Sequence, residues 1–172
     1  DGQLTDSQSI SVTVLSVNDG PIALTDIVAT TDEDQNIVIT LYGDDVDEDP
    51  LTFTLESDAA NGNVVITEEL ENNDEGSFAT YTPYLNFNGN DSFIFRVSDG
   101  ELSDTASVYM TIIPVNDAPV IGSISDLSFD EDTLGNLTLS ASDVDGDELN
   151  YSITEGIDIL ASLTESDIIF ST

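Results

Sequence analysis

The chain has 172 residues, of which 36 are Asp or Glu and only Arg96 is a cation, so the formal net charge at pH 7 is −35. Such a surface excludes nucleic acid and anionic lipid as partners, because both are bound through Lys and Arg. With no Cys and no His, disulfides, thiolate or imidazole catalysis and soft-metal sites are excluded as well, and a hard cation with oxygen ligands is the remaining metal chemistry.

A hydrophobic fraction of 39% is enough for small cores but supplies no apolar run long enough to span a membrane. An acidic excess without cations ordinarily signals a solvated, disordered chain. Here Val, Ile, Leu, Tyr and Phe alternate too regularly for that. Residue 1 is Asp and no signal-like segment opens the sequence, which reads as a piece of a longer protein.

In residues 1–17, Ile10, Val12 and Val14 alternate with Ser11 and Thr13, the period of a half-buried strand. Next comes Val17-Asn18-Asp19-Gly20-Pro21, built from turn formers ahead of a fixed φ. A short strand is expected near 22–28, then the acidic turn Asp32-Glu33-Asp34, then a strand over 36–42. Asp45-Val46-Asp47-Glu48-Asp49 places three Asp at alternate positions. Further strands are expected over 51–56, 62–67 and 78–83, with a polar stretch around 68–76. Turn residues at 86–90 centre on Asn88-Gly89. Strands over 91–98 and 105–115, joined at Asp99-Gly100, close the series. Seven or so short strands separated by turns define a β-sandwich of immunoglobulin-like size.

The pattern then restarts. Val115-Asn116-Asp117-Ala118-Pro119 repeats the first joint, Asp130-Glu131-Asp132 the first acidic turn, and Asp143-Val144-Asp145-Gly146-Asp147 the triple-Asp loop. Asp19 and Asp117 stand 98 positions apart, as do Asp47 and Asp145. A joint and a loop recurring at one interval define a tandem array. The expected division is 1–17 as the last strand of a preceding repeat, 18–115 as a complete repeat and 116–172 as the first part of another. The two copies diverge after Ile153.

Carboxylates held close together cannot all stay ionised without a counter-charge, so the duplicated Asp loop points to divalent-cation binding. Adaptation to high salt is the competing source of the acidity. The loop is not an EF-hand: positions six and twelve, which need Gly and Glu, are Pro50 and Glu56 in one copy and Glu148 and Thr154 in the other.

Asn116-Asp117-Ala118-Pro119, the Glu of Asp130-Glu131-Asp132, and Ala141-Ser142-Asp143-Val144-Asp145-Gly146-Asp147 followed by Tyr151 resemble a cadherin repeat. Together with Tyr81-Thr82-Pro83, Asn86-Phe87-Asn88-Gly89, Asp91-Ser92-Phe93 and Val97-Ser98-Asp99-Gly100, they resemble more closely the bacterial cadherin-like tandem repeats of large secreted adhesins. The resemblance implies an all-β, Greek-key sandwich repeat of about 98 residues with Ca²⁺ at the joints between repeats. Carried over by motif, it assigns Asn18, Asp19, Asp45, Asp47 and Asp99 to the first joint, and Glu33, Asn116, Asp117, Asp143 and Asp145 to the second, with Glu131 repeating Glu33. The Asp-Arg-Glu motif of animal cadherins is absent, and Asn86-Phe87-Asn88 stands in its place.

The implied function is a non-catalytic, calcium-rigidified extracellular spacer or stalk in a surface adhesin or filament. Its partners would be neighbouring repeats, other copies in a filament, or a cell-surface or carbohydrate target. The alternative is a carbohydrate- or protein-binding module, or an accessory domain of a secreted enzyme. Tyr42, Tyr84 and Tyr109 are the candidate sugar-stacking residues. Asn90, Asn136 and Asn150 begin glycosylation sequons, as expected by chance in an Asn- and Ser-rich chain. Asp74 and Asp158, in the divergent segments, are the expected bystander carboxylates.

Overall fold

The computed structural model describes residues 2, 6–25, 27–67, 76–154 and 160–171. Asp74, Asp158 and nearly all of the expected polar stretch around 68–76 lie outside them. The chain divides into two compact units, 1–113 and 114–172.

The first unit contains β1 (Ile22–Ala23), β2 (Ile27–Asp32), β3 (Ile37–Asp44), β4 (Thr52–Ser57), β5 (Gly62–Thr67), β6 (Gly76–Pro83), β7 (Gly89–Ser98) and β8 (Ser103–Ile113). One sheet has the order β1-β3-β6-β5 and the other β2-β8-β7-β4. All pairings are antiparallel except β2 with β8, which run parallel from Ile27↔Val108 to Asp32↔Ile113. This is the Greek-key immunoglobulin arrangement. The single strand expected over 22–28 is instead two strands, one in each sheet. The chain changes sheets between Ala23 and Ile27, so the first segment guards an edge of both sheets with few residues.

The core follows from period-2 alternation. Leu41, Ala79 and Tyr81 from one sheet meet Phe93, Phe95, Val97, Val108 and Ile112 from the other, and all are essentially buried. Phe53 and Phe95 stack with centroids 6.4 Å apart. Met110 is buried on β8, and its neighbour Tyr109 faces out. Ile10, Val12 and Val14, the earlier counterparts of Val108, Met110 and Ile112, are exposed. β8 is flanked by β2 and β7, whereas residues 6–21 form no ladder among the described residues.

A buried polar cluster fastens the loop before β5. Asp91 on β7 accepts hydrogen bonds from the backbone N–H of Ala60 (3.1 Å) and Asn61 (2.9 Å) and from the Tyr81 hydroxyl (3.0 Å). Burial, then the bond to Asp91, pushes the Tyr81 hydroxyl well above its usual range. Gly62 lies directly under the Tyr81 ring, where a Cβ would fall 2.3 Å from Cε2.

The second unit contains β9 (Val120–Ile121), β10 (Gly135–Thr138), β11 (Ala141–Ser142), β12 (Leu160–Thr164) and β13 (Asp167–Ser171). β9 pairs with β11 in the register of β1 with β3, shifted by 98: Ile22↔Asp44 becomes Val120↔Ser142. The sheet order β10-β13-β12 likewise repeats β3-β6-β5, with Phe170 taking the place of Tyr81 opposite Gly135. Thus the second unit reproduces pairings of one sheet of the first, split into a two-stranded and a three-stranded sheet, with β12 and β13 built from sequence beyond the point where the copies diverge.

Tyr81→Phe should cost about 1–2 kcal/mol by removing one of the hydrogen bonds that the buried Asp91 carboxylate accepts, the Asn61 N–H bond to the same oxygen remaining. Gly62→Ala should cost about 1–3 kcal/mol by overpacking the Tyr81 ring. Urea unfolding of both variants checks this, with unchanged m-values expected.

Candidate metal centre

The sequence places the acidic loop directly after β3, where the chain leaves the sheet. Asp45 is 4% exposed, Asp47 is exposed and Asp49 is intermediate. One carboxylate oxygen of each lies within 4.8 Å of the others. The Asp47 N–H donates to Asp45 Oδ1 (2.9 Å), so the backbone turns around the first carboxylate. That leaves Asp45 Oδ2, which is fully enclosed and has no hydrogen-bond partner. A buried anionic oxygen without a donor costs several kcal/mol unless a cation meets it.

The joint folds onto this loop. The Asp19 N–H donates to Asp47 Oδ2 (2.7 Å), and Asn18 Nδ2–H donates to Asp99 Oδ2 (2.9 Å). The Asn18 amide, then the Leu102 N–H, hold the Asp99 carboxyl below the usual carboxylate range. Asn18, Asp19, Asp45, Asp47 and Asp99 therefore gather at one end of the first sandwich, as their assignment to one joint requires.

The second unit builds the same corner. The Asp117 N–H donates to Asp145 Oδ2 (2.6 Å), and the Asp145 N–H donates to Asp143 Oδ1 (3.0 Å). Asp147 N–H adds a longer bond to the same Asp143 oxygen (3.3 Å). Asp143 Oδ2 is enclosed without a hydrogen-bond partner, like its counterpart on Asp45. Asn116 differs from Asn18, because its amide donates to the Asp117 carbonyl (2.9 Å).

Glu33 sits at the opposite end of the first sandwich from Asp45, since β2 and β8 both run toward it from the Asp99 turn. It is 4% exposed, its N–H donates to the Ile113 carbonyl (2.9 Å), and Asn88 Nδ2–H donates to Glu33 Oε2 (3.2 Å). Next to it, Asn86 N–H donates to Asp34 Oδ1 (2.8 Å). Asn88 was not among the expected site residues; the Asn-Phe-Asn substitution for Asp-Arg-Glu was the signal that could have found it. Asp49, the third member of the first cluster, was legible as the third Asp of the loop. Glu131 is exposed in its turn, unlike Glu33.

The candidate stacking residues are not brought together. Tyr42 lies on the outer face of the β1-β3-β6-β5 sheet and Tyr109 on the outer face of the other sheet, while Tyr84 follows β6.

An immunoglobulin-type sandwich with an acidic corner at the joint is thus defined. Residues 18–111 match the bacterial Ig domain family, and the chain belongs to that family. Over 120 residues it is 30% identical to chitinase A of Pseudoalteromonas piscicida, covering 69% of this chain and 14% of that protein. Among solved structures, a substituted form of an endo-fucoidan hydrolase from glycoside hydrolase family 107 superposes with a TM-score of 0.50 at 24% identity, over 95% of this chain and 26% of that one. The first two repeats of human protocadherin-24 give a TM-score of 0.47 at 17% identity, over 91% and 79% of the two chains. The chain spans about a quarter or less of the two enzymes that it matches.

Asp45→Asn and Asp143→Asn should each weaken calcium binding about tenfold or more, because each removes a charged ligand from a small coordination set. Glu56→Gln, on an exposed position of β4, removes the same charge and should leave affinity unchanged. Titration calorimetry of the three variants checks this; equal isotherms would show that only net charge matters.

Proposed function

We propose that this chain is a non-catalytic structural repeat of a secreted or surface-exposed bacterial protein, stiffened by calcium and spacing other domains apart. The observation that carries the reading is the Asp45 corner: a buried carboxylate with an unpartnered oxygen, converged on by two more carboxylates. The protein's own cation does not serve it, since Arg96 lies on β7 and donates from Nε to Ser103 Oγ (3.1 Å). Oxygen donors alone suit a hard divalent ion, and a set this rich in carboxylates suits calcium, which accepts six to eight oxygens in flexible geometry.

Asp45, Asp47 and Asp49 would hold the ion, with Asn18, Asp19 and Asp99 completing or supporting the set; Asn116, Asp117, Asp143 and Asp145 would do the same in the second copy. When bound, the ion supplies positive charge and no reaction. The chain's own part is to fold the joint onto the loop through the Asp19–Asp47 bond, so that neutralising the loop also fixes the segment entering the sandwich. Glu33, with Asn88, is proposed as a ligand at the far end, and Glu131 as its repeat. Among the described residues no helix is long and apolar enough to cross a membrane.

A second reading is favoured by the chitinase relative: the repeat serves as an accessory domain of a secreted polysaccharide hydrolase. It shares the calcium chemistry and differs in what the spacer connects. A stalk in a large adhesin or filament is the first reading's setting.

Calcium at about 1 mM should raise the melting temperature more than NaCl at about 100 mM, since screening acts on any charge pattern whereas chelation needs geometry. A chelator should reverse the gain. Differential scanning calorimetry decides, and identical curves in the two salts would return the acidity to a high-salt coat.

A further inference from the structure

The acidity is not spread evenly over the first sandwich. On the outer face of the β1-β3-β6-β5 sheet, the outward positions of β3, β5 and β6 hold one charged residue, Asp44, at the very end of β3. Apart from Asn63 on β5, the rest of those outward positions are apolar or hydroxylated. Val38 is opposite Thr80, which is opposite Val65; Thr40 is opposite Phe78, which is opposite Thr67; Tyr42 is opposite Gly76, which projects no side chain. Val38 (60%), Tyr42 (48%) and Val65 (49%) are exposed, and Phe78 is half-buried. Beside Tyr42, a groove of about 390 Å³ is lined by Ile22, Leu24 and Thr25, with Asp44 at its margin, the two aliphatic residues being 67% and 53% exposed. A contiguous apolar face of this kind marks an interaction surface.

We propose that this face binds a neutral polysaccharide. The occupant follows from charge. A chain at −35 repels sulfated or uronic glycans, nucleic acid, anionic membrane and a second copy of itself. A cationic partner would be drawn to the acidic turns at the ends and not to this nearly uncharged face, so the occupant that fits the face is uncharged and presents flat C–H surface together with hydroxyls. Tyr42 and Phe78 offer aromatic surface for sugar-ring faces, and Tyr42 adds a polar tip. Thr40, Thr67 and Thr80 place hydroxyls between the apolar side chains, where they meet the hydroxyls at ring edges. A protein partner would need an equally apolar, uncharged face of its own, and nothing in the charge pattern selects one. The proposal deepens the accessory-domain reading and rests on it for placing the repeat beside a polysaccharide; it is independent of the metal corner, which lies off this face.

The test is depletion of the full chain from solution by insoluble chitin and by cellulose, in calcium-containing buffer, with Tyr42→Ala, Tyr42→Phe and Tyr109→Ala compared by melting curve to confirm folding. The wild type should be retained on at least one of the two. Tyr42→Ala should weaken retention about tenfold, Tyr42→Phe should largely keep it, and Tyr109→Ala, on the opposite sheet, should match the wild type. Folded wild type that ignores both polysaccharides overturns the proposal, as does undiminished retention of Tyr42→Ala. So does sedimentation showing a dimer that Tyr42→Ala dissolves, which would make a second copy the occupant. If the parent protein carries no hydrolase domain, the accessory-domain reading fails while the retention result stands by itself.

Discussion

Three carboxylates within 4.8 Å of one another, one of them sealed from water, set the terms for the entry end of the first sandwich. Like charges at that distance cost several kcal/mol in a partly desolvated site unless one is protonated or a cation intervenes. The loop nonetheless spends its backbone donors on holding the arrangement. Asp47 N–H turns back to Asp45, and Asp19 N–H reaches across 28 residues of sequence to Asp47. A solvated acidic turn has no reason to enclose Asp45 to 4% exposure or to leave its second oxygen without a donor.

The same constraint explains where the charge is absent. Acidic residues crowd the turns and joints at the ends, while both sheets present mainly Thr, Ser, Val and aromatic residues outward. Strand faces favour such residues, and like charges opposed across a ladder are destabilising. Collecting the carboxylates at the ends leaves few charges on the faces, Glu56 and Arg96 among them, so one molecule combines acidic corners with a sparsely charged flank. Corners of the kind proposed to take up cations would suit serial connection; a flank with few charges would suit contact with an uncharged surface. The two properties do not compete, because they occupy different parts of the sandwich.

Much of this was legible in the sequence. Alternation located six strands within about two residues, since a face buried against a partner sheet forces period two; 62–67 coincides with β5. The Asn-Asp-x-Pro joint and the Asp loop were singled out together, and hydrogen bonds from the backbone N–H of Asp19 to Asp47 and of Asp117 to Asp145 connect those elements. What the letters hid was pairing between distant turns. Nothing near Glu33 announces that Asn88, 55 positions later, will donate to it. The split of the first strand was hidden too, because 22–32 contains no Gly or Pro to mark a break and only the existence of two edges, β3 and β8, decides that the chain serves both. Whether the three tyrosines share a face was hidden as well, because sequence gives the parity of a residue within its strand but not which sheet that strand joins; ordinary strand aromatics are the favoured reading, and the three are indeed apart.

The second copy adds an argument that a single site could not. Asp143, Asp145 and Asp117 reproduce the bonds of Asp45, Asp47 and Asp19 within about 0.1 Å, although the strands that follow them have diverged in sequence. In both copies the fold is supplied by backbone N–H groups, which are neutral and present whether or not an ion is bound. The loop is therefore shaped before it is neutralised. A preorganised set of this kind gives up little conformational entropy on binding, because the linker and loop are already joined. The contribution of the proposed ion would then be concentrated in charge: it would offset repulsion that the folded loop cannot relieve by moving, and its effect should be felt as stiffness of the corner and not as a change of fold.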